Sequence, residues 1–165
     1  MNELIPIHVF AEDYSALESW RLTHWCKTRG ATDWTVTAIA VEGEETETFD
    51  RFNEVMAPYR LPDVMRRHLT AYQGEDFAKN TRLWKLTSAS LAALKETLLD
   101  GIFTYDIEAN SNGWFENLIL YRQGELMLGV VSHEAEGVLR VTSEERQSLE
   151  REGFRFRARG TYVGY

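Results

Sequence analysis

Among the 165 residues there is one cysteine, Cys26, and there are three prolines. A single thiol excludes an internal disulfide and a zinc-type cysteine cluster, and it suits a reducing compartment. No proline-rich linker, internal repeat or low-complexity tract divides the chain. Basic charge is scarce as well. Eighteen Lys and Arg stand against 26 Asp and Glu, a net charge of −8, which argues against nucleic acid as a partner because phosphate contacts need an excess of cations. There is no long apolar run, and Met1-Asn2-Glu3-Leu4 carries no positive leader. Neither a membrane span nor a secretory signal is therefore expected, and the expected location is cytoplasmic. The glycines form no phosphate loop, no dinucleotide fingerprint and no Gly-x-Ser-x-Gly elbow. Those absences remove the commonest motif-bearing enzyme classes and call for no cofactor.

What is present is apolar and aromatic: 44% and 12% of the residues. That composition predicts one folded domain over 1–165, large enough to bury roughly two thirds of its unfolded surface. The pattern predicts an α+β fold, with a mainly antiparallel sheet in the C-terminal half and helices packed on it. Phe103, Tyr105 and Ile107 alternate with Thr104, Asp106 and Glu108, as in a strand with one wet face. After Asn110-Ser111-Asn112-Gly113, the run Trp114 to Arg122 predicts a strand covered on both faces. Phe115, Ile119 and Tyr121 fall on one face and Trp114, Leu118 and Leu120 on the other. Gln123-Gly124 predicts a hairpin into Leu126 to Ser132, where Gly129 suggests close approach by a neighbour. Val138 to Thr142 is the next strand, Thr142 and Glu145 form a capping box, and Gly153 stops the helix that follows.

Upstream, Leu4 to Phe10 and Trp34 to Val41 read as strands, flanking a helix capped by Asp13. Tyr14, Leu17, Leu22 and Trp25 share the apolar side of that helix, His24 lies beside Leu17 as a packing residue, and Trp20 and Cys26 sit at the margins. Two helices are predicted next, over Asp50 to Ala57 and Pro62 to Tyr72. Leu61, Val64, Met65, His68, Leu69 and Tyr72 form the apolar face of the second. Gln73 to Asn80 reads as a polar connection, Thr81 to Leu86 as a short strand, and Ala89 to Leu99 as a helix capped by Thr87 or Ser88.

Three features bear on function. The stretch from Glu42 to Asp50 holds Glu42, Glu44, Glu45, Glu47 and Asp50 with no basic residue. Such a run stays in water and suits attraction of a basic protein surface, whereas its spacing does not match a calcium loop. His133, Glu134 and Glu136 follow a strand, and with Asp106 and Glu108 they form the candidate set for general-base or metal-assisted hydrolysis. No second histidine stands four residues on, so no metal site is assigned. Arg155, Arg157 and Arg159 alternate near the end, as on a charged edge strand or an anion site.

The run Leu118-Ile119-Leu120-Tyr121-Arg122-Gln123-Gly124-Glu125-Leu126, then Ser132-His133-Glu134, then Val138-Leu139-Arg140-Val141-Thr142 with an acidic capped helix resembles the ending of small acidic bacterial immunity-type proteins. The resemblance covers the last third of the chain. It implies a cytoplasmic single-domain protein that occludes a basic surface on a toxin, and it implies no catalytic residue. The alternatives are a small-ligand-binding protein or hydrolase built on His133, and a homodimeric structural or adaptor domain that buries a sheet edge or an aromatic patch against its copy.

Overall fold

The β5–β6 hairpin sets the geometry of the sheet. In the computed structural model, which describes residues 2–39, 47–69, 76–105 and 114–157, β5 (Trp114–Arg122) turns at Gln123-Gly124 into β6 (Glu125–Val131). Both turn residues have positive φ, 52° and 79°, the combination whose twist matches that of paired antiparallel strands. Around this hairpin stand β1 (Ile5–Phe10), β2 (Asp33–Ile39), β3 (Arg60–Leu69), β4 (Asp76–Lys85) and β7 (Glu136–Val141), in the spatial order β1-β7-β6-β5-β2-β4-β3. Every pairing is antiparallel. The helices are α1 (Ala16–Thr28), α2 (Glu47–Met56), α3 (Ser88–Thr97) and α4 (Ser143–Arg151). Among the described residues the fold is α+β, and the sheet takes four of its seven strands from the first 85 residues.

The helix starts follow from local chemistry. Ser15, Thr87 and Thr142 each accept the N–H three residues on, and Glu18, Ser90 and Glu145 reciprocate. Such capping boxes satisfy two otherwise orphaned N–H donors. Ser15, not Asp13, is thus the cap of α1; Asp13 closes a short 3-10 turn before it.

The sheet carries apolar clusters on two faces. On one, Trp34, Leu118, Leu120, Leu128, Leu139 and Val141 meet Leu22, Trp25 and Cys26 of α1, Phe52 and Met56 of α2, and Leu91 and Leu94 of α3. Trp34 stacks on Trp84 at 4.9 Å, and Phe52 meets both rings edge-on. On the other, Leu83, Ile119, Tyr121 and Leu126 are covered by Leu61 and Leu69 of β3. The β3–β4 hairpin therefore folds over this second face. Tyr121 donates its hydroxyl to the Arg67 carbonyl at 2.9 Å, and Arg66 reaches the buried Asp33 at 3.7 Å.

Several expectations change. Residues 60–69 form a strand, not the predicted helix over 62–72, because β4 pairs along nearly all of their length. Residues 76–85 form the full partner strand where a polar connection and a short strand were expected. Phe103 to Tyr105 belong to no strand: Thr104 donates to the Gly101 carbonyl and accepts from Asp100 N–H, which holds a turn. Ile107 lies outside the described residues. On α1, Trp20 and Cys26 are buried, while Leu17 is 73% exposed and His24 faces solvent. Phe115 shares the face of Leu118 and Leu120 rather than that of Ile119. The cause is Asn117, whose φ of 56° and double hydrogen bond with Ser132 place a bulge between them.

Candidate functional site

His133 and Glu134 belong to the 3-10 turn Ser132–Glu134, which is closed by Ala135 in the left-handed conformation. Both are exposed, and His133 Nε2 stands 4.0 Å from Glu134. Glu136 is drawn elsewhere. It opens β7 opposite Phe10 of β1, and its carboxylate accepts from His8 Nδ1 at 2.6 Å. The structure thus pairs His133 with Glu134 and gives Glu136 to His8; Asp106 and Glu108 lie outside the described residues. Among the described residues no group of three or more His, Cys, Asp or Glu is placed to hold a metal ion.

The His8–Glu136 pair was not legible in the sequence, since 128 positions separate its members. A carboxylate on Nδ1 orients an imidazole as a general base would require. His8 Nε2, however, is buried and without a partner. A proton acceptor needs access to its substrate, so this pair ties β1 to β7 rather than forming a reaction centre. Arg157 binds Glu12 and Asp13 and lies 4.5 Å from the Phe10 ring, while its backbone bridges His8. Its guanidinium already has two carboxylates. Arg155 is exposed, and Arg159 lies outside the described residues.

Two buried groups are chemically muted. Burial pushes the Cys26 thiol well above its ordinary range, which leaves no thiolate nucleophile at neutral pH. His68, on β3, is 5% exposed; its Nε2 lies 2.7 Å from the Thr81 hydroxyl, which donates to the Lys79 carbonyl. Burial first, and Lys79 second, lower its pKa from 6.5 to about 4, so the ring is neutral near pH 7.

One feature with the form of a binding site lies between α2 and α3. The periodicity of α2 sends Phe52 and Met56 into the core, Thr48, Arg51 and Val55 toward α3, and Glu47, Asp50 and Glu54 outward. From the other side come Ala93, Glu96 and Thr97 of α3, then Leu99 and Asp100, with Trp114 and Phe115 of β5 below. Together they bound a cleft of about 470 Å³. Its walls include two of the more exposed large apolar residues, Leu99 at 77% and Val55 at 49%. Glu96 and Asp100 on its rim and the outer row of α2 outnumber its cation, Arg51. Of the acidic stretch singled out in the sequence, Glu47 and Asp50 form the first turn of α2 and are exposed. Glu42, Glu44 and Glu45 lie outside the described residues; they immediately precede this helix in the chain. Among the described residues no helix is long and apolar enough to cross a membrane.

Compared with protein-family profiles, with characterised proteins and with solved structures, the chain matches none. The functional reading therefore rests on the chain's own residues.

Proposed function

We propose that this chain is a cytoplasmic protein-binding module that occludes a basic surface of a partner protein, as an immunity-type protein occludes its toxin. The observation that carries the reading is the acidic outer row of α2, Glu47, Asp50 and Glu54, beside an apolar-walled cleft rimmed by Glu96 and Asp100. The two parts have different tasks. Exposed carboxylates steer a basic partner and raise its rate of encounter, an effect that salt screens within about 8–10 Å. An apolar cleft with Leu99 and Val55 exposed supplies buried area once the partner is seated. The net charge of −8 adds long-range attraction for a cationic protein.

The test begins with a tagged full chain captured on beads in lysate of its source cell and washed at low and high salt. The expected result is a stoichiometric basic protein released by salt. Its association with the purified chain is then timed against the triple variant Glu47→Gln, Asp50→Asn, Glu54→Gln. These three side chains are exposed, so the variant should keep the fold, which its circular dichroism spectrum checks. Association at low salt should slow by roughly tenfold or more, with a flatter salt dependence. Recovery of the chain alone, or a triple variant with the parent's rate and salt dependence, would remove this reading.

A further inference from the structure

A second cleft has the opposite charge. On α1 the residues Leu17, Arg21, His24 and Thr28 recur at helical spacing and form one outward stripe. This stripe, with Trp20 and Trp25 on its two flanks, Lys95 of α3 and Phe154 beyond α4, bounds a cleft of about 370 Å³. That volume falls within the range of small-molecule sites. Lys95 leaves α3 on the flank away from Ala93 and Thr97, so this cleft and the acidic one lie on different sides of the same helix.

Its lining departs from the rest of an acidic molecule. Arg21, His24, Arg29 and Lys95 face a single carboxylate, Glu152, which already accepts the Ser148 hydroxyl at 2.9 Å. Arg21 lies over the Phe154 ring at 5.2 Å; Arg29 lies over Trp25 at 5.3 Å and donates to the Ser148 hydroxyl at 2.8 Å, so Arg21 and Lys95 are the cations the cleft offers an anion. Leu17, 73% exposed, gives the cleft an uncovered apolar wall. Trp25, 4% exposed, lines the floor of the cleft with its ring, which makes its indole signal a reporter of anything bound there.

We propose that this cleft binds a small organic anion: a carboxylate carried on a flat apolar body, with the charge toward Arg21 and Lys95 and the body against Leu17 and Phe154. The site is independent of the acidic cleft. A protein that blocks a partner through α2 would retain it, and a protein that does not would still contain it.

The experiment uses the ¹⁵N-labelled full chain and the probe indole-3-acetate. Five tryptophans give five indole N–H signals, and Trp25→Phe identifies that of Trp25. The Trp25 signal should move saturably with the probe, and the neutral indole-3-acetamide should bind more weakly by a factor of about ten, the effect of one lost charge interaction. The double variant Arg21→Glu, Lys95→Glu alters two exposed side chains and should weaken the acetate by about the same factor or more, read at a temperature where its melting curve shows it folded. A Trp25 signal unmoved at about 10 mM probe would overturn the proposal. So would equal binding of the acid and the amide, or a double variant that binds as the parent does.

Discussion

Gly101 sits at φ +88°, where the chain leaves α3 and passes beneath α1. A β-carbon there would stand 2.3 Å from Ser19 Oγ and 3.0 Å from the Ala16 backbone. Ser19 has little room to yield, since its hydroxyl donates to the Ala16 carbonyl and accepts from Ile102 N–H. Gly153 has nearly the same dihedral, φ +82°, but open space around it. The pair separates backbone strain from collision. Gly153→Ala should cost about 1 kcal/mol, the left-handed penalty alone. Gly101→Ala should cost about 3 kcal/mol, because overpacking adds to that penalty. Urea titrations of the two variants give the comparison; equal losses would mean that α1 simply moves aside. Residue-scale chemistry of this kind was partly legible in the sequence. Gln123-Gly124, Gly153 and the Thr142–Glu145 box act as their types suggest, because each effect is contained within a few residues. Asn117 was not legible. Its bulge depends on Ser132, a residue from the next hairpin, and without it the alternation of β5 assigns Phe115 to the wrong face.

At the scale of elements, β3 shows why periodicity misled. Leu61, Val64, His68 and Leu69 fit a helical face, yet Val64 and Met65 are largely exposed while Leu61 and Leu69 cover Ile119 and Tyr121. The register slips between Leu61 and Val64, so the spacing is that of an interrupted strand. The first half of its partner β4 looked like a connection because residues such as Lys79 and Asn80 are polar and wet, while Thr81 onward was already legible as strand. Partnership over distance, absent from any local window, decided both. His68 then makes this hairpin sensitive to acid. Its imidazole titrates at about 4 when folded and near 6.5 when free. Between those values the unfolded chain binds a proton that the folded chain excludes, so stability is complete above about 6.5 and falls as pH drops toward 4. At ~1.4 kcal/mol per unit the loss is at most about 3–4 kcal/mol, and salt reduces the part due to Lys79. Urea midpoints at pH 7, 5.5 and 4.5 should decline more steeply for the parent than for His68→Gln, which keeps a donor for Thr81 but has no proton to gain. Parallel declines would assign the acid sensitivity to other groups.

For the whole molecule, charge and cohesion have different sources. Arg60, Arg66, Arg67, Lys79, Arg82 and Lys85 put six of the 18 cations on the β3–β4 hairpin, while Glu47, Asp50 and Glu54 face outward from α2. The acidic run was visible in the sequence. The cleft beside it was not, because its walls come from residues near 50, 96 and 114, which only the sheet brings together. The same sheet joins the two apolar clusters. β5 contributes Leu118 and Leu120 to one and Ile119 and Tyr121 to the other, so displacement of β5 would unpack both clusters together. The chain should therefore unfold in a single transition. Fluorescence reports the helical side, where Trp34 and Trp84 stack, and the imidazole proton signal of His68 reports the hairpin side. In urea at pH 7 the two should share one midpoint and one slope. A His68 signal lost well before the fluorescence changes would make β3–β4 a separately melting arm. The α2–α3 cleft would then have to draw its rigidity from the helical cluster alone. Coincident curves mean that strain applied at the cleft is resisted by the full stability of the sheet, which is what the proposed occlusion of a partner by shape requires.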